Sequence, residues 1–175
     1  MKTILALDIA TNTGWAYRHA SGFIEAGAWE LQTPAETTAA AKLRKDRTLD
    51  ARVPLLYRQL KNFWDTRPDM PPGNNPVDFL VFEDVEFSRF TKQTQLWSSL
   101  RAAVWLFCYN YTIPRDCCPV GTLKKFATGS GHAMKPQMVA AASALFPRVD
   151  FKLDEDTADA LCLLQWAITL TNRVK

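Results

Sequence analysis

At 175 residues, with 47% hydrophobic and 22% charged side chains, the chain has room for one core and little more, and its composition excludes global disorder. A net charge of +3 neither requires nor forbids a polyanionic partner, so the placement of charge has to decide. The four cysteines, Cys108, Cys117, Cys118 and Cys162, form no CxxC and have no histidine at ligand spacing, which argues against a structural zinc site and for reduced thiols in a cytosol-like compartment.

Residues 3–9 are an apolar run with a charge at the exit, the pattern of a central strand. Asp8 also breaks the stretch after Lys2 too early for a secretion signal. Thr11-Asn12-Thr13-Gly14 reads as a turn, and residues 14–18 and 22–31 as two further strands that complete an antiparallel meander. Apolar residues at spacings of three and four (Leu49, Val53, Leu56, Leu60, Phe63) predict a long helix over 35–64. Residues 68–76, with four prolines and a Gly-Asn-Asn, predict a loop.

Residues 78–83 (DFLVFE) predict a second buried strand ending in a carboxylate. Helix is expected over 93–111, a short strand over 115–120, then helices over 120–127, 135–146 and 156–171. Trp105 and Phe107 are expected in the core. The last apolar run, residues 158–170, is too short to span a bilayer and contains Asp159 and Gln165. The order predicts a single domain, residues 1–175, with one mixed sheet covered by helices on both faces. The expected location is cytoplasmic, with no membrane contact.

Four acids stand at the ends of these elements: Asp8, Glu83, Asp156 and Asp159. Each has an ordinary alternative reading: Asp8 as a turn cap, Glu83 as one of several solvated acids with Asp84 and Glu86, and Asp156 as part of an acidic helix start. Strands joined through a long helix are natural parallel neighbours, which brings Asp8 beside Glu83. Asp156 and Asp159, three residues apart on a helix, can address one point. Clustered carboxylates at apolar strand ends need compensation, and hard oxygen donors select Mg²⁺, with Mn²⁺ as substitute. Four such groups suffice for two ions about 3.5–4 Å apart, an arrangement suited to in-line displacement at phosphorus.

Basic residues are placed to match. Arg115, Lys124, Lys125, His132 and Lys135 flank a flexible Thr128-Gly129-Ser130-Gly131 stretch that can grip phosphates. Arg89, Lys92 and Arg101 interleave with Phe87, Phe90 and Trp97 as a second candidate surface, where cations neutralise phosphate and aromatics stack on bases.

With these residues in hand, the chain resembles the RuvC-type Holliday junction resolvases of the ribonuclease H-like (retroviral integrase-like) superfamily. The matching stretches are ILALDIATNTGWA, FLVFEDVEF, LKKFATGSGHAMKPQ and DTADALCLL, in the family's order and over most of the chain. The resemblance implies a ribonuclease H-like five-stranded mixed sheet, three strands antiparallel and two parallel. It implies a dimeric, Mg²⁺-dependent endonuclease that nicks four-way DNA junctions symmetrically. Asp8, Glu83, Asp156 and Asp159 would be its catalytic and metal-binding residues, with Lys124 and Lys135 as DNA contacts. Phe87 and Phe90 are the candidates for an aromatic wedge after the central glutamate. The competing expectations are a ribonuclease H-like nuclease for RNA or other branched DNA, and a catalytically silent nucleic-acid-binding domain. A phosphotransferase of the actin and sugar-kinase type would need a second domain for which there is no room.

Overall fold

The computed structural model describes residues 1–32, 50–67, 75–84, 91–147 and 154–173. The order is β1 (Ile4–Asp8), β2 (Asn12–Arg18), β3 (Ile24–Glu30), α1 (Arg52–Asp65), β4 (Phe79–Asp84), α2 (Thr91–Asn110), β5 (Arg115–Pro119), α3 (Val120–Thr128), α4 (Lys135–Leu145) and α5 (Glu155–Arg173). The strands form one five-stranded sheet in the order β3-β2-β1-β4-β5. β1, β2 and β3 pair antiparallel, whereas β4 joins β1 in parallel and β5 joins β4 in parallel. This is the mixed sheet expected from the sequence.

Period-two alternation divides each strand between two cores. Ile4 and Ala6 of β1, Val81 of β4 and Cys118 of β5 pack with α3, α4 and α5. Leu5 and Leu7 of β1, with Leu80 and Phe82 of β4, pack with Leu56, Leu60 and Phe63 of α1 and with Leu100, Val104 and Phe107 of α2. The parallel register is anchored at its start, where Thr3 N–H donates to Asp78 Oδ2 (2.7 Å) and Asp78 N–H to Thr3 Oγ1 (2.8 Å).

Three expectations need correction. The turn is shorter than read, because Asn12, Thr13 and Gly14 already belong to β2 and pair with β3, while Gly14 also pairs with Asp8. The predicted long helix is not continuous: among the described residues, 50 and 51 stand outside it and helix runs from Arg52, where Asp50 accepts the Arg52 N–H and grips its guanidinium, and Pro54 has no N–H to bond back to residue 50. The earlier part of that predicted helix, residues 35–49, and most of the proline-rich loop, residues 68–74, lie outside the described residues. Trp105 is 46% exposed, because it falls on the outer face of α2 with Leu106 and Tyr109, one position away from the face that buries Val104 and Phe107. All four cysteines are free thiols, and Cys108, Cys118 and Cys162 are buried. No helix among the described residues is long and apolar enough to cross a membrane.

Candidate active site

Strand parity decides where the acids point. Asp8 shares the face of Ile4 and Ala6, and Glu83 that of Val81, so both turn toward α5, while Asp84 turns the other way. Leu7 pairs with Phe82, so Asp8 and Glu83 are the next residues along neighbouring parallel strands. Their carboxyl groups lie within hydrogen-bonding reach of each other. A third acid, Asp159, comes from the first turns of α5 and acts on both.

The ordinary role of an acid at a helix start is filled by a different residue. Asp154 Oδ1 accepts the Thr157 N–H at 2.8 Å, which caps α5 and leaves Asp156 and Asp159 free to face the sheet. Gly14 makes this approach possible. A Cβ on Gly14 would lie 2.0 Å from the Asp156 carbonyl oxygen, so α5 enters against bare backbone directly opposite Asp8. Sequence reasoning placed Gly14 at the turn and the start of the second strand, without a role for its missing side chain. A glycine inside a strand, paired with a candidate ligand, is the signal that marks it.

Burial raises the Asp8 carboxyl well above its usual range, and Glu83 and Asp159 add repulsion. Glu83 is pushed up to about 7, first by burial, with the Asp8 hydrogen bond and Lys124 pulling the other way. Asp159 is pushed up to about 6 by burial, against Lys124 and Lys135. Asp156, nearer the surface, is raised more by burial than by Asp154. Asp159 Oδ1 is buried and has no hydrogen-bond partner. Among the described residues no three acidic, histidine or cysteine side chains stand close enough together to form a ready-made metal site. The orphaned Asp159 oxygen and the all-carboxylate donor set nonetheless fit a hard divalent cation, which would satisfy that oxygen and relieve the repulsion.

The basic residues separate into distinct positions. Lys124 is half-buried on α3 and faces Glu83 and Asp159. Lys125 and His132 are exposed on the same side chain-rich rim of α3 and the loop after it. Gly129 ends α3 in the left-handed region (φ 82°) and donates its N–H to Lys125 O. Lys135 opens α4 and is bound to Glu155. Arg115 leaves this group: it pairs with Leu80, at the far end of β5 from Cys118 and Glu83, and its guanidinium lies over Trp105. Arg101 also lies over Trp105 and donates to Asp84 at 2.6 Å. Arg101, Trp97, Ile9 and Glu83 line a cleft of about 60 Å³ on the α2 side of the strand ends. Phe87, Arg89 and Phe90 lie outside the described residues, as does the side chain of Lys92.

Among solved structures, the chain matches Thermus thermophilus RuvC with a TM-score of 0.62 and 17% identity over 97% of each chain. It matches T. thermophilus RuvC in complex with a Holliday junction substrate at 0.66 and 16%, over 98% of each chain. The chain has the fold of RuvC. The yeast mitochondrial Holliday junction resolvase Ydc2 matches at 0.55 and 13%, over 98% of this chain and 81% of Ydc2. No family model matches the sequence, and no curated protein matches it significantly. The likeness to RuvC is therefore carried by the ribonuclease H-like architecture, the full-length alignment and the strand order, with little sequence identity.

Proposed function

We propose that the chain is a divalent-metal-dependent endonuclease that resolves four-way DNA junctions in recombination and repair. The observation that supports it most is that Asp8, Glu83 and Asp159, from three separate elements, come within electrostatic reach of one another at the ends of the parallel strands. Three half-buried carboxylates gathered there raise one another's charge cost, with no cation among the described residues bonded to them. Open α/β sheets take their ligands at the ends of the parallel strands.

Asp8, Glu83, Asp156 and Asp159 would hold two Mg²⁺ ions, with Mn²⁺ as substitute. When bound, the ions supply Lewis-acid activation of water and stabilisation of the departing oxygen. The protein's own part is placement. β1 and β4 fix the two strand carboxylates by backbone pairing, and Gly14 and the Asp154 cap set α5 against them. Lys124 offsets charge from the inner side of the pocket. The rim residues Lys125 and Lys135 would hold the DNA backbone, with Arg89 and Lys92 extending the contact and Phe87 or Phe90 entering the junction. Symmetric nicking requires two sites, so the working form would be a homodimer of one-domain chains.

The test is cleavage of labelled four-way junction, flap, duplex and RNA–DNA hybrid with Mg²⁺. Paired symmetric nicks on the junction are expected. Preference for the hybrid would move the assignment to an RNA nuclease. Binding without cleavage in Mg²⁺ or Mn²⁺ would make the chain a silent nucleic-acid-binding domain.

A further inference from the structure

Lys135 and Glu155 meet beside the acids of α5, within the field of Asp156 and Asp159. Lys135 is the first residue of α4 and Glu155 the first of α5, and Lys135 Nζ donates to Glu155 Oε2 at 2.5 Å. Their side chains are 61% and 53% exposed. An ion pair that open to water is held by a small margin and can be exchanged for another anion. Lys135 also feels Asp156 and Asp159, so its ammonium stands in the field of the pocket while its hydrogen bond goes to a carboxylate outside it. Lys124 differs: it is half-buried and faces Glu83 and Asp159 directly. One lysine offsets buried charge, and the other is kept at the rim.

We propose that Glu155 is a stand-in for a backbone phosphate: it holds Lys135 at the edge of the pocket until an incoming phosphate takes its place. This rests on the nuclease reading above and names Glu155 as a residue that sets how tightly, and how salt-dependently, substrate is held. A carboxylate and a phosphate oxygen accept the same charge-assisted hydrogen bond from an ammonium, so the exchange needs no backbone movement. Once released, Glu155 remains in the first turn of α5, where the helix dipole favours its negative charge. Displacing it weakens binding to any phosphate, and only a substrate whose other contacts are also made recovers the difference. Glu155 thereby discriminates against stray polyanions without touching the scissile group.

Two sets of measurements test this, with wild type, Glu155→Gln, Lys135→Ala and the double variant. In the first, a labelled four-way junction is titrated in EDTA at two salt concentrations. Glu155→Gln should bind about two- to five-fold tighter than wild type, the range an exposed pair commands, and the gain should vanish in the Lys135→Ala background. An equal gain in both backgrounds overturns the proposal, because Glu155 would then only repel DNA as any surface acid does. In the second, inorganic tripolyphosphate is titrated while the Lys135 Nζ signal is followed by NMR. Saturation should come at lower concentration in Glu155→Gln, and equal affinities would reject the exchange. If no nucleic acid binds in the first set, the nuclease reading fails, while the tripolyphosphate result still decides the exchange.

Discussion

Charge is gathered at both ends of this sheet, and the two gatherings are built on opposite terms. Near the β2–β3 hairpin, Arg67 donates to Glu25 at 2.5 Å, lies 3.6 Å over the Phe63 ring and 4.7 Å over the Tyr17 ring, and Glu25 also meets His19 at 2.8 Å. One Arg67 nitrogen, Nε, is left without a partner, but the guanidinium charge is met by a carboxylate and two aromatic faces. At the other end, Asp8, Glu83 and Asp159 face one another with Lys124 and Lys135 set against them, and Asp159 Oδ1 is unmet. The hairpin cluster is closed within the protein. The acids at the strand ends are left with an unmet oxygen, and on the function proposed above a cation would meet it, which is the contrast the following experiments test.

Asp8→Asn tests the open end hardest. Cleavage should fall by at least about a hundredfold, as befits loss of a metal ligand. The metal-free variant should melt higher than metal-free wild type at pH 8, because a repelling buried acid has gone. Wild-type cleavage, or a lower melting point in EDTA, would break the contrast between the two ends. Gly14→Ala comes next. Its Cβ cannot sit 2.0 Å from the Asp156 carbonyl oxygen, so α5 must shift, at a cost of about 3 kcal/mol. The decisive readout is the Mg²⁺-induced rise in melting temperature, which should shrink with the displaced aspartates even where circular dichroism reports a folded chain.

A pH series without metal gives a third, graded measurement. Glu83 rises from 4.5 to about 7 on folding and Asp159 from 3.8 to about 6, with Asp8 raised as well. The folded chain therefore keeps protons that the unfolded chain has released. Stability from these groups is full below about pH 4 and is lost as pH rises through 6 to 7. Melting temperature in EDTA should decline across that window, and Mg²⁺ should restore it at pH 8. A flat profile would mean that the carboxylates are neither desolvated nor repelled in solution.

How much of this was legible beforehand follows from what each pattern encodes. The apolar runs in ILALD and DFLVFE carry strand identity, whereas it is the parallel register, Leu7 beside Phe82, that turns Asp8 and Glu83 to the same face. The DxxD of Asp156 and Asp159 carries helical spacing. None of these local patterns carries the packing of α5 on β2, so the role of Gly14 stayed hidden. Trp105 was misplaced because the second half of α2, residues 102–109, is apolar all round, and periodicity cannot say which side of such a stretch meets solvent. Arg115 was grouped with Lys124 by nearness in sequence, yet β5 runs between them and carries Arg115 to the opposite end.

The smallest expected effect comes from the closed end. Glu25→Gln removes the carboxylate that Arg67 and His19 share, but leaves the rings stacked under the guanidinium. Glu25 is more than a third exposed, so solvent already screens much of the pair, and the loss should be about 1 kcal/mol, or about 2–4 °C in melting temperature. The sign is what matters. Removing an acid should stabilise the metal-free pocket and destabilise the hairpin, although both are one-step amide replacements of a carboxylate. Mg²⁺ should widen the separation, raising the melting temperature of Glu25→Gln as it does for wild type while giving Asp8→Asn little. If both variants moved in the same direction in EDTA, the acids at the strand ends would be ordinary structural charges and would need no cation.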